Sequence, residues 1–213
     1  MPNKKLIIIV PGSKTKLSRI PVLSAVLEKF YSHFGVEVEE DAWLPALETS
    51  FRAIPAETLV FHWSGGISPF AIHTAAQELE RVLLHYTDRE IFLFTKSLGG
   101  AVAAKVAQNT HLPIKLLVYV ATPHFRFERK VPPSVRVINV FSDADSYQRL
   151  ANVMLYAGLG RTRVPHAQNI NIPGLQHSDF NHNLEIRVDA KTQRLFDFYR
   201  DLLASDSEHM AEI

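Results

Sequence analysis

Six short apolar runs punctuate this chain: Leu6–Val10, Thr58–Trp63, Ile91–Phe94, Leu116–Ala121, Val135–Phe141 and Gln168–Ile172. Most are continuously apolar and do not alternate, the pattern of parallel strands covered on both faces. Between them the period becomes helical. Pro21–Phe34 sets Val22, Leu23, Val26, Leu27, Phe30 and Phe34 on one face. Ala71–Tyr86 does the same with Ile72, Ala75, Ala76, Leu79, Val82, Leu83 and Tyr86. Ser146–Gly158 reads as a further helix. The last helix is expected from about Asp189, an N-cap residue type, with Leu195, Phe196, Tyr199, Leu202 and Leu203 turned inward. Strand and helix alternating through right-handed crossovers predict an α/β fold, a three-layer α/β/α sandwich around a mostly parallel six-stranded sheet. It is expected to form one domain over residues 1–204, with 205–213 a frayed tail. A flavodoxin-like protein would alternate in the same way, so the fold class alone assigns no function.

Composition narrows the field. The chain has 213 residues, 46% of them hydrophobic and 21% charged, the proportions of a soluble globular protein. A formal net charge of +1 supplies no global attraction to nucleic acid or to a membrane surface. There is no cysteine, which excludes disulfides, thiolate metal sites and a cysteine nucleophile. The apolar run Leu6–Val10 follows two lysines but is too short for a signal peptide, and Pro11-Gly12 ends it. No segment approaches the roughly 18 apolar residues of a membrane span. A cytoplasmic location is the expectation.

Chemistry concentrates at Ile91–Gly100, IFLFTKSLGG, followed by AVAAKVAQ. A buried strand that turns abruptly into a helix through Ser-x-Gly-Gly leaves one hydroxyl at the tip of the turn. The glycines let the backbone turn tightly and the helix pack close to the sheet. The helix N-terminus behind the serine favours negative charge. Ser97 is therefore the candidate nucleophile.

This segment resembles the nucleophile elbow, G-x-S-x-G, of the α/β-hydrolase family, and the resemblance extends over nearly the whole chain. Thr95 replaces the first glycine, and Lys96 stands where the family often has His. The resemblance implies a trimmed α/β-hydrolase fold without the first two antiparallel strands, its six strands ordered 2-1-3-4-5-6. It also implies an acid after a later strand and a histidine after the last one. VRVINVFSDADSYQ offers Asp143 and Asp145, of which Asp145 is favoured by lying farther past the strand end. Either carboxylate could instead cap the helix that follows. In NIPGLQHSDFNHN, His177 takes the family's histidine position, with His182 in reserve. The adjacent Asp145 carboxylate is expected to raise the pKa of His177 above about 6.5. The oxyanion hole implied by the family would use the N–H of Leu98 and, because Pro11 has none, that of Ser13, with Gly12 giving the loop its freedom.

The resemblance implies a serine hydrolase acting on an ester or related acyl bond of a small-molecule substrate, with no cofactor. The departures at Thr95, Lys96 and Pro11 leave open a catalytically silent relative that binds a ligand or partner. His62 and Trp63, in FHWSGG, could line the substrate pocket, or form a core aromatic and a glycine turn. Only Thr122–Ser134 is available where larger relatives insert a cap, so the site is expected to be open or covered by Phe125–Pro132 and Leu159–His166. Lys14, Lys16, Arg19, Lys96, Arg126, Arg129, Lys130, Arg161 and Arg163 fall at strand ends on the same edge. They are read either as a solvated rim or as a field selecting anionic acyl groups. Three other chemistries are set aside. Gly12-Ser13-Lys14-Thr15 lacks the first glycine of a phosphate-binding loop. No G-x-G-x-x-G follows a strand. His177 and His182 are five apart, where zinc-binding helices use four.

Overall fold

The computed structural model describes residues 5–12, 43–108, 111–125, 131–157 and 159–205. All six apolar runs enter one sheet: β1 Lys5–Val10, β2 Glu57–Val60, β3 Glu90–Lys96, β4 Ile114–Val120, β6 Arg136–Phe141 and β8 Gln168–Asn171. The spatial order is β2-β1-β3-β4-β6-β8. Every neighbouring pair runs parallel. Counting core strands alone, this is the expected 2-1-3-4-5-6. The run Thr58–Trp63 is trimmed: the ladder ends at Val60, although the Phe61 N–H still donates to Ile9 O at 2.9 Å.

Period-two packing explains why the strands lack alternation. Leu6, Ile8 and Val10 bury one way, with Leu117 and Tyr119, under α2 Pro69–Leu83 and α3 Leu98–Ala107. Ile7 and Ile9 bury the other way, with Leu116, Val118 and Val120, under α1 Trp43–Phe51 and α5 Leu195–Ala204. Both faces are covered, so both sets must be apolar. The expected three layers are present. α2 begins at Ser68, whose Oγ accepts the Ala71 N–H at 3.1 Å, and carries Ile72, Ala75, Ala76, Leu79 and Leu83 into the core.

Some features depart from expectation. The last helix starts at Leu195, not near Asp189. The intervening residues form a hairpin, β9 Glu185–Val188 and β10 Lys191–Arg194. Asp189 and Ala190 make its turn, with φ of 48° and 68°. Two successive positive φ values are what a tight hairpin needs to match strand twist. α1 escaped the sequence pattern, although its Pro45 lies in the first turn, where a missing N–H costs nothing. A two-stranded ladder of β5 His124–Phe125 and β7 Gly160–Arg161 also forms beside α4 Ser146–Tyr156. The helix expected over Pro21–Phe34, and residues 206–213, lie outside the described residues. No helix among the described residues is long and apolar enough to cross a membrane.

Candidate active site

The C-terminal ends of β3, β6 and β8 share one edge of the sheet, and each delivers one candidate residue. Ser97 follows β3 directly, with φ 50° and ψ −129°, a conformation rare for any residue but glycine. Its N–H donates to Val120 O at 2.9 Å, and its carbonyl accepts from Gly100 N–H at 3.0 Å. The turn is tight because α3 sits on the end of β1. A Cβ on Gly99 would collide with the carbonyl oxygens of Val10 and Pro11. Gly12 lies against the serine itself, where an added Cβ would meet Ser97 Cβ at 2.9 Å. Thr95 fits the place of the first glycine through its hydroxyl, which donates to Val118 O of β4 at 2.9 Å in a fully buried position.

Asp145 begins α4, and its carboxylate does two jobs. Oδ1 accepts the Gln148 N–H at 2.8 Å, the bond of a helix N-cap. Oδ2 lies 2.9 Å from His177 Nδ1. Capping and pairing, offered by the sequence as alternatives, are both satisfied by one side chain. His177 comes from the loop after β8, and its Nε2 is 3.1 Å from Ser97 Oγ. With the Nδ1–H donated to Asp145, Nε2 presents its lone pair to the serine hydroxyl. Asp145 is fully buried, Ser97 and His177 almost so.

Burial pulls the His177 pKa below its ordinary value of 6.5. The Asp145 charge and hydrogen bond work against that pull, and the Lys96 charge adds to it. The upward shift expected from Asp145 alone is thus reversed, because desolvation of the imidazolium outweighs its partner. Tyr147 packs against the imidazole, its ring centroid 4.4 Å from that of His177.

The alternatives fall elsewhere. Asp143 is exposed and accepts from Asn171 Nδ2 at 2.9 Å. His182 is exposed at the end of the 3₁₀ turn Asp179–Asn181. Leu98 opens α3, so its N–H is one of the first-turn donors with no intrahelical acceptor. Ser13 lies outside the described residues. Trp63 is buried in the core, its Nε1–H donating to Pro11 O at 2.9 Å, whereas His62 is exposed. The tryptophan thus braces the loop after β1. Of the basic residues on this edge, only Lys96, Arg161 and Arg163 are described. Lys96 is not on a rim: it is buried, with Nζ 5.8 Å from the centroid of the Trp43 ring. Arg161 is half-buried in β7, and Arg163 is exposed with its guanidinium 5.3 Å from the Phe141 ring.

Sequence reading passed over Gln148, Tyr147 and Thr122. For Gln148 a signal existed, because Asp145-x-x-Gln148 has the spacing of a capping box.

No family model matches the chain, and no curated protein matches its sequence. Solved structures do match its fold. A protein from Xanthomonas campestris assigned to the α/β-hydrolase superfamily aligns over 95% of this chain and 99% of its own, with TM-score 0.56 and 14% identity. The fold is that of the α/β hydrolases. An α/β serine hydrolase homologue from Coxiella burnetii aligns over 95% of this chain and 84% of its own, with TM-score 0.52 and 17% identity. An α/β-hydrolase enzyme from a lagoon-sediment metagenome in Morocco covers 98% of this chain and 92% of its own, with TM-score 0.52 and 12% identity. At these identities the likeness is one of fold, and the chemistry rests on this chain's own residues.

Proposed function

We propose that this α/β-hydrolase-fold chain is a serine hydrolase cleaving a carboxylic ester or related acyl bond, with Ser97 as nucleophile, His177 as base and Asp145 as orienting acid. The observation that carries the reading is the buried relay of Ser97 Oγ, His177 Nε2 and Nδ1, and Asp145 Oδ2, with links of 3.1 and 2.9 Å. Ser97 Oγ attacks the acyl carbon as its proton passes to His177 Nε2. Asp145 holds the tautomer and stabilises the imidazolium that forms. The Leu98 N–H, with a donor from the Gly12–Ser13 loop, receives the oxyanion. The proton then leaves with the alcohol. Water, activated by the same imidazole, releases the acid from the acyl-enzyme.

A fluorophosphonate probe is the direct test, because it needs an activated serine and not the correct substrate. The expected result is a single adduct on Ser97, absent in Ser97→Ala, with turnover of activated esters falling on the order of 10⁶-fold in that variant. An unlabelled, folded wild-type protein would overturn the reading and leave a ligand-binding relative of the fold.

A further inference from the structure

We propose that Gln148 is a positioning residue that fixes the turn carrying Asp145 to the turn carrying Ser97, using the end of β4 as a shared abutment. The inference deepens the serine-hydrolase reading and rests on it. Two arms meet at Val120–Ala121–Thr122. The first comes from the elbow: Ser97 N–H donates to Val120 O at 2.9 Å. Gly100 packs so closely on Thr122 that any added Cβ would collide with the threonine side chain. The second arm comes from the acid turn. Gln148 Nε2–H donates to Thr122 O at 2.6 Å, while the backbone N–H of the same residue holds Asp145 Oδ1 at 2.8 Å. One residue therefore grips the acid with its main chain and the β4 abutment with its side chain.

The abutment itself is held in an unusual shape. Ala121 has φ 48°, a left-handed value that costs a non-glycine residue energy. Its N–H is tied to Val140 O of β6 at 2.9 Å. That twist turns the Thr122 side chain toward Gly100 and its carbonyl toward Gln148. Gln148 is fully buried in the first turn of α4. Its Oε1 has no hydrogen-bond partner among the described residues, so the amide is kept for its donor. A buried amide with an unsatisfied oxygen is unfavourable for stability, and an apolar residue of the same volume would serve packing better. The donor is what the position needs.

Gln148→Met and Gln148→Leu both remove that donor and keep the bulk, so either carries the test if the other fails to fold. Active serines are counted by fluorophosphonate titration, and kcat and KM for a small activated ester are measured per titrated site. The expected result is a fall in kcat of about tenfold per active site with KM unchanged, since only the alignment of the relay is lost. A wild-type kcat per titrated site in the folded variants would overturn the proposal, whatever happens to thermal stability. If wild-type protein itself takes no label, the nucleophile assignment falls and this inference with it. Labelling of the wild type with no kcat loss in the variants defeats the Gln148 role alone.

Discussion

Ser97 and His177 stand 3.1 Å apart, yet the segments that carry them are held by different physics. The elbow is backbone against backbone: Gly99 on the carbonyls of Val10 and Pro11, Ser97 N–H on Val120 O. The histidine loop adds side-chain ties to its own backbone turn bonds, such as Asp179 N–H to Gln176 O at 3.1 Å. The Gln176 N–H donates to Asp179 Oδ2 at 2.7 Å, Gln176 Oε1 accepts from Ser146 Oγ at 3.2 Å, and Phe180 is buried beneath. Gly174, which starts that loop at φ 84°, has nothing within 4 Å of where a Cβ would lie. Close packing fixes one half and polar ties fix the other. Damage to the elbow should therefore appear as lost stability, and damage to the loop as misaligned chemistry.

Gly99→Ala should break the comparison most severely if it is sound. Both colliding atoms are main-chain oxygens that cannot rotate away, and overpacking of this kind costs about 3 kcal/mol or more. Urea unfolding measures it; a cost under about 1 kcal/mol would mean that the elbow yields like a loop. Asp179→Ala should act in the opposite register. Losing one charge-assisted bond to Gln176 N–H costs about 2 kcal/mol of stability, but kcat should fall about tenfold as His177 drifts. Asp179→Asn keeps an acceptor oxygen and should recover most of that kcat.

The pH profile sharpens the comparison further. His177 must be neutral to accept the Ser97 proton, so kcat/KM should rise with pH. Because burial and then Lys96 hold the imidazole below its ordinary 6.5, against the pull of Asp145, the midpoint should lie below 6.5. Lys96→Met removes one cause and should move the midpoint upward; an unchanged midpoint would show that the lysine charge does not reach the relay. Gly174→Ala should matter least. The left-handed φ costs about 1 kcal/mol, the space is open, and kcat should stay near wild type.

These contrasts also separate what the sequence made legible from what it did not. The strands could be read because a doubly covered sheet forces unbroken apolar runs, as in Leu6–Val10, whereas their order came from the resemblance to the α/β-hydrolase family. Ser97 could be singled out from its strand–turn–helix pattern, and Asp145 and His177 from the acid and histidine that the family resemblance implies after later strands; the fold brings those three together. The hairpin Glu185–Arg194 stayed hidden because its turn is Asp189-Ala190, without the glycine that usually marks positive φ. Lys96 read as a rim charge because burial of a lysine is set by tertiary neighbours, here Trp43, and not by local pattern. The direction of the His177 shift failed for the same reason. A partner can be named from sequence, but desolvation belongs to the assembled fold.

The double engagement of Asp145 has a consequence for how the site could be watched without any substrate. The Gln148 amide proton is held by Asp145 Oδ1, and the other oxygen of that carboxylate faces His177. That proton can exchange with deuterium only when the first turn of α4 lets go of the carboxylate. Its exchange rate is thus a clock for the opening of the relay. Slow exchange, matching the most protected strands, would place the acid turn in the same cooperative unit as the sheet. Faster exchange would show a site that comes apart long before the protein unfolds.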